Sequence, residues 1–102
     1  MQEFITAQRE QIAELCRRHH VRRLAVFGSA ARDDFDPATS DVDIIVEFED
    51  LPIEQYSDNK WALHDGLATQ FDRKVDLLTW KSLRNPVILT EVQNTAETLY
   101  AA

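Results

Sequence analysis

At 102 residues, with 44% hydrophobic residues and only two glycines, the chain has the makeup of one globular domain with a single core and little room for a second lobe. Its 18 acidic residues outnumber 11 basic ones for a net charge of -7, which argues against a broad grip on DNA or RNA and suits a basic protein partner or metal chemistry among carboxylates. Cys16 is the only cysteine, which excludes an intrachain disulfide and the Cys-rich zinc patterns.

No N-terminal apolar run resembles a signal peptide and no stretch is long enough to span a bilayer, so a cytoplasmic location without membrane contact is expected. Residues 4–20 read as a helix, with Ile5, Ile12, Leu15, Cys16 and His19 near one face. His19 and His20 would close it, where cations favour the helix dipole. Residues 21–27 read as a strand that Gly28 ends, and residues 32–40 as a loop rich in turn formers. Residues 41–48, dense in Ile and Val, form a second strand.

A connection over residues 51–56 leads to a helix over 58–71, for which Ser57 or Asp58 would be the N-cap. Residues 74–80 read as a third strand. Asn85-Pro86 starts a last helix running toward Thr98, with Val87-Ile88-Leu89 and Leu99-Tyr100 expected in the core or, in part, against a partner. Trp61 and Trp80 read as core or partner-facing anchors. The expected order is helix, strand, strand, helix, strand, helix. This gives an α/β (α+β) fold, a small mixed sheet packed with helices.

Chemistry concentrates in two places. Strand side chains alternate faces, so Asp41 and Asp43 in Ser40-Asp41-Val42-Asp43 point the same way. Adjacent carboxylates repel unless a cation lies between them, and hard oxygen donors suit magnesium. Asp76, between Val75 and Leu77, completes a triad if the third strand lies beside the second. In Gly28-Ser29-Ala30-Ala31-Arg32 the glycine lets a phosphate approach the backbone and Ser29 adds a hydroxyl. Arg32 is open to a bidentate phosphate contact or to a salt bridge across the loop. Two metals on a carboxylate triad would activate an attacking hydroxyl and neutralise a leaving pyrophosphate.

The Gly28-Ser29 run, the Asp41/Asp43 pair and Asp76 together resemble the minimal nucleotidyltransferases of the DNA polymerase β superfamily, and more narrowly the MntA-type antitoxins encoded beside HEPN-domain toxins. The resemblance covers residues 1–102 as one minimal domain. It implies nucleotide binding by Gly28, Ser29 and Arg32, two Mg2+ ions held by Asp41, Asp43 and Asp76, and help from Asp76 in deprotonating the acceptor. It further implies transfer of AMP from ATP to a tyrosine of a HEPN ribonuclease toxin, in a hetero-oligomer with that toxin and without direct nucleic-acid binding. An idle antitoxin acting by occlusion, and the same chemistry on a small molecule or RNA end, are the rival readings. The family often has glycine after the arginine. Here Asp33-Asp34 stands there, either crowding the phosphate position or facing solvent.

Overall fold

A computed structural model describes residues 1–32, 35–36 and 38–102, so Asp33 and Asp34 lie outside the described residues. Two helices, α1 (Glu3–Thr6) and α2 (Arg9–Arg18), precede β1 (Val21–Phe27) and a 3-10 turn at Gly28–Ala30. Next come β2 (Val42–Phe48), α3 (Ile53–Phe71), β3 (Val75–Thr79), α4 (Pro86–Thr95) and β4 (Glu97–Ala101). The four strands form a mixed sheet in the order β3-β2-β1-β4. β1 runs antiparallel to both β2 and β4, while β2 and β3 are parallel, joined through α3.

The sheet divides the hydrophobic residues by strand alternation. On one face Leu24, Val26, Ile44, Val46 and Leu77 pack against Ile5, Ile12 and Cys16 of the first helices and Leu63, Leu67 and Phe71 of α3. The spacing of Leu63, Leu67 and Phe71 lays a single apolar stripe along α3. Burial of each such side chain contributes about 1.5–3 kcal/mol. On the other face Ala25, Phe27 and Ile45 meet Val92 of α4, with Leu78, Trp80, Leu83 and Ile88 at the margin. This second cluster is small. Asp43 shares its strand face with Ile45, and Asp76 with Leu78, so both aspartates belong to the less covered side of the sheet.

Three boundaries depart from the sequence reading by more than a residue or two. The first helix is two, broken at Ala7-Gln8, where Gln8 leaves helical geometry at ψ 18°. α3 begins at Ile53, with Pro52 rather than Ser57 or Asp58 at its cap. The last helix stops at Thr95 because Ala96 turns extended (ψ 130°), and β4 follows on the free edge of β1. Leu99 is buried as expected, but Val87 is 75% exposed and Leu89 also faces outward. Ile88 and Val92, one turn apart, join the apolar cluster on the sheet.

Candidate active site

The site forms where β1 ends and β2 and β3 begin. Antiparallel pairing puts Phe27 opposite Asp43, and the parallel pair sets Asp43 in register with Asp76. Two carboxylates thus stand side by side on neighbouring strands, with Gly28 immediately beyond Phe27. Asp43 and Asp76 line one cavity together with Phe27, Leu78, Val87, Ile88 and Glu91. Asp76 is exposed on the edge strand, whereas Asp43 is partly buried.

Burial and crowding act on Asp43 in the same direction. Loss of water, then the like charges of Asp76, Asp41 and Glu91, push its carboxyl up to about 6 from an ordinary 3.8, while Arg32 opposes them. Asp41 precedes β2 and its Oδ2 lies 3.8 Å from Lys74 Nζ. Among the described residues no three His, Cys, Asp or Glu side chains already stand close enough to hold a metal. The donor set nevertheless fits a hard divalent cation: carboxylate oxygens whose mutual repulsion raises Asp43 and would be relieved by positive charge.

Gly28 is required by shape as well as by backbone. Its φ is +67°, the left-handed region that side-chain-bearing residues avoid, and a β-carbon there would sit 2.8 Å from Asp43 Oδ2 and 3.4 Å from Glu91 Oε1. Its N–H donates to Thr95 Oγ1 at 2.8 Å, and that hydroxyl donates to the Glu91 carbonyl at 2.6 Å. α4 therefore anchors the turn. From the other side Gln2 holds it, its N–H donating to the Ala30 carbonyl and its side-chain amide to the Arg32 carbonyl. Ser29 is half-buried in the turn. Asp36 organises the descent into β2: its carbonyl accepts from Thr39 and Ser40, and its Oδ1 from the Ala38 N–H. The Ala38 N–H, and after it the Thr39 side chain, hold the Asp36 carboxyl below its usual range.

Arg32 Nη1 donates to Glu91 Oε1 at 2.6 Å, so of the two roles open to it the salt bridge is present. Glu91 and Thr95 were not legible as site residues. They are 59 and 67 residues from Arg32 and Gly28, on a helix whose sequence gives no local sign of either contact. Burial pushes the Cys16 thiol up to about 12, in keeping with a core residue.

The sheet and its helices have the α+β fold of minimal nucleotidyltransferases. A provisionally named structure of that kind superposes with a TM-score of 0.67 and 31% identity, covering 93% of this chain and 92% of the other. A toxin–antitoxin crystal structure with AMP-PNP superposes with a TM-score of 0.69 and 26% identity, over 92% of this chain and 73% of that one. Two relatives in Methanocaldococcus jannaschii, provisionally named protein adenylyltransferases, are 33% identical over 91 residues (81% of this chain, 89% of the relative) and 39% identical over 75 residues (74% and 83%). The nucleotidyltransferase domain model matches residues 9–98, and the chain belongs to that family of enzymes.

Proposed function

We propose that this chain is an antitoxin that uses Mg2+ to transfer AMP from ATP to a tyrosine hydroxyl of a cognate HEPN-domain toxin in the cytoplasm. The observation that carries this reading is the in-register Asp43–Asp76 pair lying next to a glycine whose open face, where a β-carbon would stand, abuts Asp43. Asp41, Asp43 and Asp76 would hold Mg2+. When bound, the metal would neutralise phosphate charge and lower the pKa of the acceptor hydroxyl. The side-chain-free surface of Gly28 admits the phosphate chain close to the backbone, and Ser29 offers it a hydroxyl. Arg32 supplies a guanidinium. Asp76, exposed at the edge of the cavity, would accept the proton of an incoming hydroxyl. The acceptor oxygen bonds to the α-phosphorus, the bond from that phosphorus to the bridging oxygen breaks, and pyrophosphate leaves.

Protein as acceptor is favoured by what borders the carboxylates. The cavity is open, with the exposed Val87 on its rim, a setting suited to a side chain presented from another molecule. The net charge of -7 disfavours an RNA end. Two comparisons point the same way: relatives named for protein adenylyl transfer, and a neighbour described as a toxin–antitoxin with AMP-PNP.

The test uses ATP labelled at the α-phosphate, Mg2+ and the product of the gene neighbouring this chain's, the proposed HEPN-domain toxin. Label should move to that protein with the wild type and not with the Asp41→Asn/Asp43→Asn variant, and label at the γ-phosphate should not move at all. Undiminished transfer by the double variant would remove the aspartates from the mechanism.

A further inference from the structure

The guanidinium expected to meet the phosphate chain is already engaged by an anion. Glu91 Oε1 accepts from Arg32 Nη1 at 2.6 Å, and the same oxygen lies 3.4 Å from the place a β-carbon on Gly28 would occupy. Glu91 also lines the cavity of Asp43 and Asp76. Glu91 Oε1 is therefore set upon the arginine and beside the open surface of the glycine, where Asp43 Oδ2 comes closer still, 2.8 Å from that β-carbon position; arginine and glycine surface are the two features suited to a phosphate oxygen. Carboxylate and phosphate are the anions whose geometry an arginine fork matches.

We propose that Glu91 is an internal stand-in for a nucleotide phosphate, which holds Arg32 at the turn in the free enzyme and is displaced when the triphosphate binds. The inference rests on the nucleotidyl-transfer reading above and adds a residue that tunes nucleotide affinity through Arg32. Glu91 is held in place by α4, whose Ile88 and Val92 pack on the sheet and whose Thr95 bonds Gly28. Its side chain is not needed for that anchorage, because Thr95 bonds the Glu91 carbonyl rather than its carboxylate. Both partners of the Arg32–Glu91 pair are about two-fifths exposed (41% and 40%), so the fold depends little on it.

The sign of the effect separates this role from its competitors. Glu91→Gln keeps the side-chain size, removes one negative charge and loosens the hold on Arg32, so triphosphate binding should tighten about 1.5- to fivefold, the range of one surface ion pair. A metal ligand would give the opposite sign, and a purely structural pair no change. Calorimetric titration with α,β-methylene-ATP, which cannot donate its adenylate, and separately with inorganic tripolyphosphate, each with Mg2+, reads this directly. Glu91→Gln should tighten both probes, Arg32→Gln should weaken both, and Glu91→Gln should gain little in the Arg32→Gln background. In turnover the KM for ATP should fall while kcat changes less.

Weaker or unchanged binding by Glu91→Gln overturns the proposal, as does an equal gain without Arg32. If the wild type binds and transfers adenylate yet Glu91→Gln fails to tighten, only the stand-in role is refuted. If the wild type binds neither probe, the nucleotidyl-transfer reading falls with it.

Discussion

Replacing Gly28 with alanine tests stability and site geometry at once. At φ +67° an added β-carbon meets the backbone in the left-handed region, which destabilises by about 1–2 kcal/mol. The same carbon would approach Asp43 Oδ2 to 2.8 Å, closer than such atoms come, and Glu91 Oε1 to 3.4 Å. The Asp43 carboxylate must therefore swing away from Gly28. Backbone strain plus that displacement gives a loss of about 2 kcal/mol, or a fall in Tm of roughly 8–16 °C for a domain of this size. Because the displaced group is half of the Asp43–Asp76 pair, adenylyl transfer should fall by on the order of 100-fold, as expected when a reacting geometry is moved by an ångström. Circular dichroism melts and urea titration report the first effect, and initial rates at a temperature where the variant is folded report the second. A Tm within 3 °C of the wild type, or a rate within about threefold, would refute the reasoning.

Three further substitutions probe separate contacts. Thr95→Val removes the acceptor of the Gly28 N–H and should lower stability by about 1–2 kcal/mol in denaturant titrations, while Thr95→Ser should restore most of it; equal losses would show that the hydroxyl is not the cause. Asp43→Asn should stabilise the metal-free protein at pH 7.5. The folded carboxyl titrates near 6, above its ordinary 3.8, so the folded state holds its proton more tightly and the wild type loses stability as pH rises from about 4 through 6. The stability gain, about 1 kcal/mol after solvent screening and read as a higher Tm, should vanish below pH 4, and a gain that is constant with pH would contradict this origin. Asp72→Gly should raise stability by about 0.5–1 kcal/mol, since Asp72 caps α3 at φ 52° where glycine carries no steric penalty; an unchanged or lower Tm would show that the aspartate compensates locally.

What could be read in advance followed local chemistry. β1 is a largely apolar run ended by a glycine, and its limits came out as Val21–Phe27. Asn85-Pro86 signalled the start of α4, and Asn85 Oδ1 does accept from the Val87 and Ile88 N–H groups. The adjacency of β2 and β3 was only conditional in the sequence; the α3 crossover supplies it and sets Asp43 opposite Asp76. Non-local effects hid the rest. Glu97 and Thr98 can continue a helix as readily as begin a strand, and it is pairing with the open edge of β1 that makes β4. Ser57 and Asp58 have good capping chemistry, yet the helix already runs from Ile53. An apolar triplet such as Val87-Ile88-Leu89 cannot show which member faces inward until α4 is laid on Phe27 and Ile45. Glu91 was invisible for the same reason, because its meaning comes from Arg32 and Gly28 across the fold.

The central claim is that the paired aspartates carry adenylate to a partner protein. Intact mass of the neighbouring gene's product, after co-expression with this chain or with its Asp41→Asn/Asp43→Asn variant, tests it most directly. The account predicts a mass increase of one or more adenylates only with the wild-type chain. An unmodified partner that still binds the wild type tightly would contradict it and leave inhibition by occlusion.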